Sequence, residues 1–227
     1  MTDDSHALAI EGIRFFGEIS ASISHEIKNV LAIINENAGL LQDMIMMSEK
    51  GLPLNPERLS KLAHSISGQV ARGDRIVKGM NQFAHSADVS TETVDVGAVV
   101  HFVSDLAARL IAMKGAAPQI DAPLASVTTT TNRFFLENLV WACLCRAMDT
   151  RAPDRTVSVV AEKSENTARI RFCGLAENAF ADGTKFPSPR ETAVARLLDA
   201  QLTADGKKGE ISLILPPAQH NTRPMGR

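Results

Sequence analysis

Between Ala9 and Met47 the apolar residues Ile13, Phe16, Ile19, Ile23, Ile27, Val30, Ile34 and Leu41 recur at the spacing of one helix face. The pattern predicts a long amphipathic helix. Gly51-Leu52-Pro53-Leu54-Asn55-Pro56 interrupts it, with Asn55 placed to cap a second helix and Pro56 to begin it. That helix is expected to run to about His85, with Leu59, Leu62, Ile66, Val70, Ile76, Val77, Met80 and Phe83 on its apolar side. Two such helices form an antiparallel hairpin whose apolar stripe needs a second hairpin to cover it. The expected assembly is therefore a homodimeric four-helix bundle.

The periodicity changes after the polar stretch from Ser86 to Thr93. Beyond it the pattern predicts a helix over 95–114, a strand near 126–131, a helix over 132–149, strands over 156–163 and 166–174, a helix over 189–203 and a strand over 210–216. The helix over 132–149 is apolar almost all round, as one packed on a sheet should be. The fold class that follows is α+β: a helical hairpin over 1–88, a two-layer α/β sandwich over 89–217, and a disordered tail over 218–227.

Composition narrows the function classes. A chain of 227 residues, 44% of them hydrophobic, can bury a core, and its net charge of -2 is spread in mixed signs. No basic surface for nucleic acid or anionic lipid is indicated. The start Met1-Thr2-Asp3-Asp4 lacks the pattern of a secretion signal, and no apolar run approaches the roughly 18 residues of a membrane span. A cytoplasmic protein is expected. Cys143, Cys145 and Cys173 read as reduced packing residues, since two cysteines at i, i+2 on a helix point to different faces.

The chemistry concentrates in Ser24-His25-Glu26-Ile27-Lys28-Asn29. His25 lies off the Ile23, Ile27, Ile34 stripe and should face solvent. An imidazole in water is partly neutral at pH 7, so one ring nitrogen can attack phosphorus while the other holds its proton. Glu26 follows directly and is placed to take or orient that proton. Asn29, at i+4, shares the face of His25 and offers a carboxamide to a phosphoryl oxygen or a water. His64, His85, His101 and His220 have no such neighbourhood, and Met44, Met46 and Met47 read as packing near the hairpin turn.

The run Ser24 to Asn29, continued by Leu31-Ala32-Ile33-Ile34, resembles the phosphoacceptor box of sensor histidine kinases. Arg72-Gly73-Asp74-Arg75-Ile76-Val77 and Phe83-Ala84 are similar to the family's second helix, while Val30 stands where the family usually has proline. The resemblance implies that His25 carries the phosphate, that Glu26 acts as general base, and that Glu26 and Asn29 support dephosphorylation of a partner regulator. It also implies that the second domain is of the histidine-kinase ATPase type.

In that domain the residues depart from the family. Ala142 and Arg146 fall at its asparagine positions, Cys173-Gly174-Leu175 replaces an aspartate with paired glycines, and Phe186-Pro187-Ser188-Pro189 replaces a glycine-rich turn. Magnesium needs oxygen ligands, and proline removes the backbone amides that cradle phosphate. The chain is therefore expected to bind no cofactor of its own. It resembles the bacterial histidine phosphotransferases that keep a degenerate kinase domain, with magnesium supplied by a response-regulator receiver domain and an upstream histidine kinase as a further partner. Receiver contacts are expected at Ser22, Lys28, Ala32, Ile33 and Glu36, about one turn either side of His25. The competing readings are a regulator phosphatase, a non-catalytic pseudokinase adaptor, and a kinase with a divergent nucleotide site.

Overall fold

A computed structural model describes residues 3–115, 117–121, 126–164, 167–177, 179–180 and 185–218. The tail expected over 218–227 lies outside them from residue 219 onward. In chain order the elements are α1 (Asp3–Glu49), α2 (Pro56–His85), β1 (Glu92–Asp95), α3 (Val96–Leu106), α4 (Ala108–Lys114), β2 (Gln119–Asp121), β3 (Thr128–Thr131), α5 (Arg133–Asp149), β4 (Ser158–Ser164), β5 (Thr167–Cys173), α6 (Pro189–Leu197), β6 (Gln201–Asp205) and β7 (Glu210–Leu215). They divide into two compact units, one comprising 1–17 with 84–227 and the other 18–83. The fold is α+β, a helical hairpin followed by an α/β sheet domain. No single described helix is long and apolar enough to cross a membrane.

The 18–83 unit is the hairpin. α1 ends in a Schellman motif: Gly51 takes φ of 88°, the Gly51 N–H donates to Ser48 at 2.9 Å, and the Leu52 N–H to Met47 at 3.2 Å. Asn55 then caps α2 by accepting from the Arg58 N–H at 3.1 Å, with Pro56 as the first helical residue. Within the hairpin the Asn37 side chain donates to the Ser65 hydroxyl at 3.1 Å. A methyl group added at Gly73 would lie 3.4 Å from the Val30 side chain. α1 continues without interruption through Val30.

Near the start of α1, Phe15 is buried, its ring 5.6 Å from Phe134, while Ile13 and Phe16 of the apolar stripe are exposed in the single chain. Adjacent phenylalanines stand about 100° apart on a helix, and the spacing alone did not say which one the α5 side would take.

In the sheet domain the strand order is β2-β4-β5-β7-β6, with β2 parallel to β4 and the other pairs antiparallel; β1 and β3 form a separate antiparallel pair. Alternation along β5 buries Ala168, Ile170 and Phe172, joined on the same face by Ile211, Leu213 and Leu215 of β7. α3 lies on β4, α5 on β5 and β7, and α6 on β6, which makes the two-layer sandwich. The other face carries charge: Arg171 donates to Glu162 at 2.9 Å and to Glu210 at 3.2 Å.

Several predicted elements are corrected. The helix expected over 95–114 is two helices that meet at Ala107 with a bend of 71°. The helix expected over 189–203 stops at Leu197; Asp199 takes φ of 50°, reversing the chain into β6. β1 and β2 arise in segments that showed no strand pattern.

Candidate functional site

α1 sorts its residues by face. Between 18 and 30, Ile19, Ser22, Ile23 and Val30 are buried, while Ser24, His25, Lys28 and Asn29 are exposed. His25 and Asn29 are one turn apart on the open side. Ala32 and Glu36 continue that open surface, and Ile33 is half-buried.

Glu26 is half-buried, and its carboxylate meets the Arg72 guanidinium of α2 at 3.6 Å. Arg72 stands in the string that resembles the family's second helix, yet the sequence carries no sign that it reaches Glu26. A cation at 72 and an acid at 26 become neighbours only once the hairpin register is fixed. The pair holds the acid that directly follows the exposed histidine.

Ser22 corrects an expectation. Its place three residues before His25 made it a candidate receiver contact, but it is 2% exposed and its hydroxyl has no hydrogen-bond partner among the described residues. Position 22 lies one turn from Ile19 and beside Ile23, on the side of α1 that is buried. Ser22 is a core position with a hydroxyl in it.

In the sheet domain α5 carries the residues that stand at the family's asparagine positions. Asn132 caps this helix, accepting from the Phe135 N–H at 3.0 Å. Ala142 has no polar side-chain atom. Arg146 donates to the Ala179 carbonyl at 3.1 Å and lies over the Phe180 ring at 5.5 Å. Neither residue is a ligand type for magnesium, because a guanidinium offers only donors and positive charge. Among the described residues no group of three or more His, Cys, Asp or Glu is placed to hold a metal ion.

The other departures also have structural roles. Gly174 takes φ of 96°, and a Cβ there would lie 2.6 Å from the Thr156 carbonyl. The turn before α6 is closed on itself: the Ser188 N–H donates to Glu191 at 2.7 Å, Ser188 accepts from the Arg190 N–H at 3.2 Å, and Pro189 supplies no amide.

One charged group is deeply buried. Glu137 on α5 is 0% exposed, accepts from the Ser86 hydroxyl at 3.0 Å and pairs with Arg133 at 2.8 Å. Burial pushes its carboxyl up to about 6 despite those two donors. Sequence reading passed over it as one acid in an apolar helix.

No protein-family model and no curated protein matches the chain. Among solved structures it is similar to the histidine kinase AdeS of Acinetobacter baumannii, at 15% identity and a TM-score of 0.42, over 86% of this chain and 98% of that one. It is also similar to the catalytic domain of histidine kinase ThkA, at 9% identity and a TM-score of 0.47, over 58% of this chain and 100% of that one. A third is ThkA in complex with the response regulator protein TrrA, at 15% identity and a TM-score of 0.44, over 93% of this chain and 64% of that one. At these identities and scores, function has to be argued from the residues themselves.

Proposed function

We propose that this chain is a histidine phosphotransferase of a two-component phosphorelay, carrying phosphate on His25 and exchanging it with the aspartate of a response-regulator receiver domain. The observation that supports this most is the arrangement on α1: an exposed His25, an exposed Asn29 one turn on, and Glu26 held by Arg72.

In this reading a neutral His25 ring nitrogen attacks the phosphorus of the receiver's acyl phosphate. The bond from phosphorus to the aspartate oxygen breaks, and the carboxylate leaves with the electron pair. The second ring nitrogen carries the proton, which Glu26 takes or orients. Asn29 donates to a phosphoryl oxygen, and exposed Lys28 adds positive charge. Magnesium is the receiver's. Lys28, Ala32, Ile33 and Glu36 form the docking surface, without Ser22. The chain binds no nucleotide of its own in this reading, in keeping with Ala142, the engaged Arg146 and the self-capped start of α6.

Homodimerisation belongs to the same proposal. The hairpin leaves Leu31 58% and Val70 57% exposed, with Val77 and Met80 also open on α2. Apolar residues at helical spacing on both helices form a stripe that a second hairpin would cover.

The test is phosphotransfer to the full chain from two sources, labelled ATP with magnesium and a panel of phosphorylated receiver domains, with His25→Ala as control. Label from a receiver alone, lost in His25→Ala, is the expected result. Label from ATP would restore the kinase reading. Label from neither would leave the phosphatase and adaptor readings, which separate by whether His25→Ala still dephosphorylates the regulator.

A further inference from the structure

We propose that the apolar groove between the first turns of α1 and the start of α5 is filled by a second copy of this chain, whose α1 lies parallel to this one, so that the sheet domain takes part in the dimer contact. The inference rests on the homodimer of the preceding reading, and not on phosphotransfer. The groove measures about 520 Å³ and lies within the unit comprising 1–17 and 84–227. Gly12, Ile13, Phe16 and Gly17 form one wall, and Phe134 and Phe135 the other. Phe134 is buried against Phe15 and meets Phe135 edge-on at 5.4 Å, so the α5 wall is held by aromatic contacts.

α1 carries two apolar strips. Phe15, Ile19, Ile23 and Val30 are buried by the chain itself. On an adjoining strip Ile13, Ser20, Ile27, Ile34 and Leu41 recur every seven residues, and none of them is buried. A seven-residue repeat sustained along a helix is the pattern of one that meets another helix over its length. Ile13 is 73% exposed, more than any other large hydrophobic side chain among the described residues, and Phe16, three residues on, is 41% exposed.

The repeat selects the occupant. Between Ile27 and Ile34 the open strip borders Leu31, which belongs to the stripe on which two hairpins would pair, and the groove continues that strip toward the start of the same helix. In a two-fold dimer whose axis runs along the strip, each residue on it meets its own copy. The two grooves then face each other. Each Ile13 enters the space beside the partner's Phe16 and Phe135, and Gly12 and Gly17 leave room for the helices to approach. An antiparallel pairing would set Ile13 against the partner's Leu41 and carry the two grooves to opposite ends.

Cross-linking and sedimentation on the full chain test this. Under mild oxidation with oxidised glutathione, Ile13→Cys is expected to give a disulfide-linked dimer, because the facing Cα atoms come within the roughly 4.4–6.8 Å that a disulfide spans. Arg14→Cys is exposed but turned about 100° away, and should link no more than the parent chain with its own cysteines. In sedimentation equilibrium Ile13→Glu should weaken dimerisation about 100-fold, and Phe135→Ala severalfold. A dimer that Val70→Glu splits but Ile13→Glu leaves whole would overturn this inference and leave the hairpin dimer standing. So would an Ile13→Cys chain that dimerises without linking, which would give the groove to an antiparallel copy or to another partner. An unchanged dimer in Phe135→Ala would overturn the part assigned to the sheet domain, and a monomeric parent chain would overturn both this inference and the hairpin dimer.

Discussion

Arg72 of α2 reaches the carboxylate of Glu26 at 3.6 Å, one residue along α1 from the exposed His25. The distance is long and the arginine is partly exposed, so the pair adds at most about 1 kcal/mol to stability. Its expected value is in aiming the acid. Arg72→Ala should leave folding and receiver affinity nearly unchanged and slow transfer from a phosphorylated receiver about tenfold, as a loosely held general base would. Rapid-quench transfer kinetics beside a thermal melt check both halves, and a variant that loses affinity but not rate would place Arg72 at the docking surface instead.

Ser22→Ala should be neutral or stabilising by about 0.5–1 kcal/mol, because it removes a buried hydroxyl that has no described partner. Denaturant titration measures that, and calorimetric titration with a receiver should give the parent affinity. Weakened receiver binding would return Ser22 to the contact surface.

For the dimer, Val70→Glu should produce monomers at concentrations where the parent chain is dimeric. Placing a carboxylate in an apolar interface costs several kcal/mol, enough to weaken association roughly 100-fold. Sedimentation equilibrium distinguishes the two, and a parent chain that sediments as a monomer would sink the bundle.

Gly174→Ala should destabilise the sheet domain by at least about 2 kcal/mol, since its φ of 96° is unfavourable to any side chain and the new Cβ would meet the Thr156 carbonyl. Chemical denaturation gives the figure. A near-neutral result would mean that the strand end relaxes more freely than its hydrogen bonding implies.

The long helices were legible because burial on one side leaves a 3.6-residue signature, and the turn between them announced itself through Gly51, Asn55 and Pro56. Element ends were harder. Nothing in the sequence marks the break at Ala107, which carries neither glycine nor proline. Leu197, Leu198 and Leu202 keep a helical spacing across the point where Asp199 turns the chain into β6. β2 has three residues and is defined by pairing with β4, a relation no local window contains.

For the site, spacing alone placed His25 and Asn29 on one exposed face with an acid directly after the histidine; that the acid is half-buried came only with the fold. It missed what depends on a second element: Arg72 at Glu26, Ser86 at Glu137, and the burial of Ser22. Each is a contact across the fold, and a serine or a glutamate reads the same in sequence whether it faces water or a neighbouring helix.

The uninterrupted run of α1 also sets a reading frame in space. Removing one residue between Val30 and Asn37 would leave the helix hydrogen-bonded, yet it would turn one part against the other by about 100°. If Val30 kept its place beside Gly73, Asn37 would swing away from Ser65. A seven-residue insertion, close to two full turns, would nearly restore the phase at the cost of length. Among natural variants of this helix, length changes should therefore come in near-whole numbers of turns, about seven, eleven or eighteen residues.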